Sequence, residues 1–190
     1  MNEFSDEKLF KLFQEGDNKA LDQLVIRYKD RLYNFIYRIV NDVDLAEDLT
    51  QDTYYKIFIN KDSYKELYKF STWMYTIAKN LAFTELRKKK RRKTYAVSDL
   101  STKDREFVLS SDTNVIKDSS VESNDLSLVM NTCLKQLSDE FKTMIIFRDF
   151  QELSYDVISK IMEIPIGTVK SRINRGREKL YQLLKGKEII

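Results

Sequence analysis

Histidine is absent from the 190 residues, and cysteine (Cys133) and proline (Pro165) each occur once. Without histidine there is no imidazole general base, no Ser-His-Asp or Cys-His pair, and no zinc site of the usual ligand count. A single cysteine precludes a disulfide within the chain and suits a reducing compartment. Four glycines and one proline leave little material for phosphate-cradling loops or for a series of tight turns. No apolar run approaches the ~18 residues that suggest a membrane span, and the stretch from Met1 to Phe10 carries charge from Glu3 onward, unlike a signal peptide. Net charge is small as well: 33 Lys+Arg against 30 Asp+Glu gives +3, so basicity matters only where it clusters. The absences describe a soluble, intracellular, all-α chain and argue against a stand-alone enzyme; no catalytic residue, metal or cofactor is expected of it.

Helical periodicity fills most of the sequence. Ser5 opens a short helix carrying Leu9, Phe10, Leu12 and Phe13. After Gly16, Asp17 caps a long one whose stripe is Leu21, Leu24, Val25, Tyr28, Leu32, Phe35, Ile36 and Ile39. Asp44-Leu-Ala-Glu47 has capping-box form and opens a helix through about Ile59. A polar loop from Asn60 to Lys69 follows. Ser71 then caps a helix with Phe70, Trp73, Met74, Ile77, Ala78, Leu81 and Ala82 inward, which runs into the basic block Arg87-Lys-Lys-Lys-Arg-Arg-Lys93.

Composition shifts beyond that block. Residues 94–125 are rich in Ser, Thr and Asp and lack a helical period, which reads as an acidic linker between domains at 1–93 and 126–190. The second domain repeats the helical pattern. Leu126, Val129, Met130, Cys133, Leu134 and Leu137 form one stripe, with Cys133 a small core residue. Ser138 and Ser154 cap the next two helices, and Pro165 suits the first position of the last, from about Ile166 to Leu184.

Three surfaces carry chemistry. A short helix, a tight turn and a helix bearing Lys170, Arg172, Arg175, Arg177 and Lys179 form the pattern of a helix-turn-helix that places its second helix in the DNA major groove. Thr168 and Ser171 add hydroxyls that can bond phosphates or bases. The block Arg87–Lys93 attracts nucleic acid through counterion release, and the aromatics just upstream, Tyr64, Tyr68, Phe70, Trp73 and Tyr75, can stack unpaired bases. Phe70 and Trp73 read more readily as core, which leaves Tyr64, on the polar loop, as the better stacking residue. Between these basic regions, Asp44, Glu47, Asp48, Gln51 and Asp52 make an acidic face that either solvates its helix or docks a positively charged protein.

The same stretches resemble the extracytoplasmic-function (ECF) group of bacterial sigma factors, the promoter-recognition subunits of RNA polymerase. Asp44-Leu-Ala-Glu-Asp-Leu-Thr-Gln-Asp-Thr53 is similar to region 2.2 of that family. Phe70-Ser-Thr-Trp-Met-Tyr-Thr-Ile-Ala-Lys-Asn-Leu-Ala82 with its basic tail is similar to regions 2.3 and 2.4. Leu153-Ser-Tyr through Ile164-Pro-Ile-Gly-Thr-Val-Lys-Ser-Arg172 is similar to region 4.2. The resemblance implies an all-α fold of two small helical domains on a long linker and a transcription initiation factor that is not an enzyme, acting in the cytoplasm without membrane insertion. It implies core RNA polymerase as partner, at the β′ clamp helices and the β flap, with region 2.2 on the clamp helices and Asp44, Glu47, Asp48, Leu49, Gln51 and Asp52 as the core-binding residues. Capture of the single-stranded −10 element falls to Tyr64, Trp73, Lys79, Asn80, Arg87, Lys88 and Arg91. Thr168, Lys170, Ser171, Arg172 and Arg175 contact the duplex −35 element. Family behaviour further implies an anti-sigma partner and a linker whose acids, Asp99, Asp104 and Glu106 among them, mimic nascent RNA in the polymerase cleft. The loop Lys65-Glu-Leu-Tyr-Lys69 lacks the glycine common in the family.

Two other readings share parts of this pattern. A stand-alone helix-turn-helix repressor would use the second domain alone and dimerise on palindromic sites. An RNA-binding enzyme could hold magnesium through Asp48 and Asp52, and metal dependence would reveal it.

Overall fold

The computed structural model describes residues 4–100 and 121–186, and the regular structure within them is entirely helical. Helix α1 (Asp6–Gln14) starts where the Ser5 hydroxyl accepts from the Lys8 N–H at 3.2 Å, with Asp6 and Glu7 at the positive end of the dipole. Gly16 takes a φ of 109°, a left-handed backbone strained for any side chain, and turns the chain into α2 (Asn18–Val40). Asp17 caps α2 through the Lys19 N–H at 3.0 Å, the role its position in the sequence suggests.

The first half gathers around α2. Leu24, Tyr28, Leu32, Phe35, Ile36 and Ile39 are buried against α1, α3 (Val43–Ile59) and α4 (Phe70–Leu100). Two caps differ from the sequence reading. Helix α3 opens at Val43, and Asp42 rather than Asp44 accepts the Leu45 N–H at 3.3 Å. The reason lies just upstream: Asn41 adopts a left-handed φ of 53° to end α2 and so brings the next cap forward. Helix α4 begins at Phe70, one residue ahead of the expected cap Ser71, so Ser71 lies inside the helix, and the Phe70 N–H donates to the Glu7 carboxylate of α1 at 3.2 Å. A long-range carboxylate thus meets one of the orphan donors of the helix start. Helix α4 also continues through the basic run to Leu100. Residues 101–120, which include Asp104 and Glu106 of the expected acidic tether, lie outside the described residues.

The second half comprises α5 (Val121–Lys135), α6 (Asp139–Ile145), one π-helical turn at Ile146–Phe150, α7 (Tyr155–Met162) and α8 (Ile166–Lys185). Ser154 caps α7 through the Val157 N–H at 3.3 Å, whereas Ser138 precedes α6 without a capping bond from its side chain. Glu163 ends α7 in the left-handed region (φ 57°). That tight reversal puts Pro165 at the N-cap of α8, one residue before the helical position expected for it. Gly176 lets α8 lie close on α6, because a Cβ there would stand 3.1 Å from the Ile145 side chain. Cys133 is fully buried with Leu134, Leu137, Ile145 and Leu180.

The halves share a core, which the sequence does not announce. The Phe147 ring stacks on Phe35 with centroids 4.7 Å apart and meets the edge of Tyr75 at 5.9 Å. Around this apolar centre each half caps a helix of the other. Lys142, 7% exposed, donates to the Ile39 carbonyl at the end of α2 at 2.7 Å, and Lys79, also 7% exposed, donates to the Ile161 carbonyl at the end of α7 at 3.0 Å. Both ammonium groups sit where helix dipoles are negative and carbonyls lack intrahelical partners. The Tyr75 hydroxyl completes the seam by donating to the Gln151 side-chain oxygen at 2.6 Å.

Candidate protein and nucleic-acid interfaces

The acidic face is built by the register of α3. Ala46, Leu49, Thr53 and Ile57 point into the core, and this leaves Asp44, Glu47, Asp48, Gln51 and Asp52 exposed together on the opposite side. Leu49, expected among the partner-contacting residues, is instead 3% exposed and is a core residue that fixes the helix's rotation. Further along, Tyr55, Phe58 and Ile59 are at least half exposed and extend the acidic surface with an apolar one. These three are additional to the residues expected from sequence, where the signal is large apolar side chains outside the core spacing of α3. Among the described residues no group of three or more Cys, Asp and Glu gathers as a metal site.

The basic face belongs to α4. Thr84, Arg87, Lys90, Arg91 and Thr94 line an open concavity of about 550 Å³. Arg87 and Arg91 stand among the expected nucleic-acid contacts; Thr84, Lys90 and Thr94 are additional. Their signal was legible, since 84, 87, 91 and 94 recur on one helical face. Asn80 lies one turn before Thr84, exposed, with its carbonyl accepting the Thr84 hydroxyl at 2.8 Å. Lys88 is exposed and paired with Glu85 at 2.6 Å.

Three other expected contacts are less available. Tyr64 is 8% exposed, packed edge-on to Phe10 at 4.9 Å and beside Trp73 at 5.3 Å, with its hydroxyl donating to the Tyr68 carbonyl at 2.7 Å. Burial, with the nearby Glu7, Glu66 and Asp6 carboxylates, pushes its pKa up to about 12. Here Tyr64 is a core residue and not a platform for a base, because α1 contributes Phe10 to cover the loop that carries it. Trp73 is half-buried in the same cluster and packs against Phe10 at 5.5 Å. Lys79 faces the seam, and burial lowers its pKa against the opposing pull of Glu163. In this arrangement α7 stands between its ammonium group and any nucleic acid.

The third surface is α8. Val169, Ile173, Gly176 and Leu180 face inward, so Lys170, Ser171 and Arg175 are exposed near the helix start, with Thr168 half-buried. The Ser171 hydroxyl donates to the Thr168 carbonyl at 3.0 Å, and Arg172 pairs with Glu140 of α6 at 3.1 Å. Arg177 is held by Asp149, whose hydrogen bond raises the guanidinium pKa. The short α7, the reversal at Glu163 and α8 with its exposed basic start form a helix-turn-helix.

Comparison with known proteins matches the same two parts. Residues 24–92 match the family model for Sigma-70 region 2, and residues 127–180 that for Sigma-70 region 4. The ECF RNA polymerase sigma factor SigW of Bacillus subtilis is 36% identical over 180 residues, covering 94% of this chain and 96% of that protein. The RNA polymerase sigma-H factor of Pseudomonas aeruginosa is 32% identical over 186 residues, with 94% and 93% covered. Among solved structures, the sigma factor RpoE in complex with the anti-sigma factor NepR from Bartonella quintana has a TM-score of 0.68 at 29% identity, covering 88% of this chain and 98% of that one. CnrH in complex with the cytosolic domain of CnrY shares the fold, with a TM-score of 0.70 at 20% identity.

Proposed function

The chain belongs to the ECF group of RNA polymerase sigma factors, and from that premise we propose how its surface divides the work of initiation. The acidic face of α3, Asp44, Glu47, Asp48, Gln51 and Asp52, docks the core enzyme at the β′ clamp helices, while the second half engages the β flap. The face of α4 around Asn80, Arg87, Lys88 and Arg91, with Thr84, Lys90 and Thr94, receives the melted −10 strand. Helix α8 reads the duplex −35 element through Thr168, Lys170, Ser171, Arg172 and Arg175. The observation that carries this reading is the separation of charge within one folded half. An exposed acidic helix suits a protein partner and repels DNA, and an exposed basic helix beside it suits a polyanion.

Opening the duplex then needs no covalent chemistry from this chain. Unpaired bases held against α4 offset the few kcal/mol of unstacking and unpairing, and the polymerase supplies the rest. The site of action is the cytoplasm, where the polymerase works. A relative of the same fold is bound by an anti-sigma factor, and the same kind of regulation is proposed here.

Two substitutions separate the DNA roles. Arg172→Ala is expected to weaken binding of a −35 duplex by about 1–3 kcal/mol, the loss of one good base contact, measured by fluorescence anisotropy with the holoenzyme. Asn80→Ala is expected to leave duplex affinity intact and to slow promoter opening, read by permanganate reactivity of the −10 thymines. Equal loss of both activities in the Asn80 variant would remove that residue from the strand-capture face.

A further inference from the structure

A cleft at the seam carries more positive charge than the closed arrangement uses. Arg31, Asn34 and Arg38 recur on one face of α2, and together with Phe150, Gln151 and Glu152 of the second half they line a cavity of about 240 Å³. Among the described residues neither arginine has an ion-pair partner, whereas Arg27, Arg172 and Arg177 do. The Arg38 guanidinium lies over the Phe150 ring, 4.4 Å from its centroid, and its Nε is buried without a hydrogen-bond partner. A buried orphan donor on a cation is costly and calls for an acceptor. Gln151 commits its side-chain oxygen to Tyr75, which leaves its amide N–H groups to donate. Glu152, held in a left-handed backbone at φ 55°, adds a carboxylate to the lining.

We infer that this cleft binds a phosphate group, either inorganic hydrogen phosphate or the monoester of a small metabolite, and that the occupant clamps the two halves closed. Guanidinium forks match phosphate oxygens in geometry and charge. Glu152 sharpens the choice. A carboxylate in the lining repels an anion unless that anion brings a donor, and the P–OH of hydrogen phosphate or a hydroxyl beside the ester supplies one. Sulfate and simple carboxylates supply none. The volume falls below the roughly 300 Å³ where drug-sized sites begin, which suits a phosphate with at most a short carbon chain. Both halves contribute lining residues, so the occupant binds the closed state alone, and closing and binding favour each other.

The test is isothermal titration of the full chain at fixed ionic strength with inorganic phosphate, glycerol 3-phosphate and sulfate. Saturable binding of at least one phosphate is expected, with sulfate about tenfold weaker or more. The tighter of the two phosphates identifies the source as free phosphate or a metabolite ester. Arg38→Gln is expected to weaken phosphate binding by about tenfold or more, and Glu152→Gln to erase most of the preference over sulfate. If Arg38→Gln fails to fold by circular dichroism, Arg31→Gln at the exposed end of the cleft serves in its place. Absence of saturable phosphate binding, or binding indifferent to these variants, would overturn the assignment.

Discussion

Asp48→Arg is expected to abolish co-elution of the protein with core RNA polymerase from its own bacterium. Asp48 is exposed at the middle of the acidic face, flanked by Asp44, Glu47, Gln51 and Asp52. Reversal changes the local charge by two and places a cation against a partner surface that must itself be positive, and like-charge juxtaposition at an interface costs several kcal/mol. The fold tolerates the change, because the packing of α3 rests on Ala46, Leu49, Thr53 and Ile57 on its other side, and a surface substitution typically moves stability within about 0.5 kcal/mol. Size-exclusion chromatography of the variant with polymerase, alongside its thermal melt, reads both quantities. An unchanged melt with lost co-elution locates the docking face on α3. Retained co-elution would move it elsewhere.

Phe147→Ala is expected to release the two halves from each other. Its ring is fully buried between Phe35 and Tyr75, and truncating a buried phenylalanine costs about 3–5 kcal/mol. The lysine caps at Ile39 and Ile161 remain in this variant, but each is one hydrogen bond from a charged group, about 1.5–3 kcal/mol, so the loss of the ring is comparable to both together. Energy transfer between dyes on α2 and α8 should fall. Lys142→Met gives an independent check, because it removes the bond to the Ile39 carbonyl without touching any residue assigned to DNA. The seam is the closing device if both variants lengthen the distance while keeping helical circular dichroism. Unchanged energy transfer in both would mean the halves are held by something other than these contacts.

The surfaces were more legible in the sequence than the arrangement of the halves. The α2 stripe and the α8 register follow from apolar spacing within one helix, so the inward residues Leu24, Phe35, Val169 and Ile173 could be read directly. The exposed residues of α3 and α8 then followed by rotation. Tyr64 looks exposed from its polar loop alone, because its neighbour in space, Phe10, is far away in sequence and belongs to another helix. Lys79 shares the polar face of its helix with Asn80 in any local pattern, yet its partner is the end of α7, 82 residues away. Glu7 at the start of α4 is missed for the same reason. Local periodicity sees which side of a helix is apolar. It does not see which other element comes to cover a polar side chain.

The central claim is that this chain turns core polymerase into a promoter-specific enzyme. The most direct test is transcription by core polymerase of its own bacterium, with and without the chain, on fragments of that bacterium's genome. The expected result is initiation at discrete start sites only when the chain is present, with the starts sharing two upstream elements at fixed spacing. Transcripts that are the same in start and amount with and without the chain would contradict it.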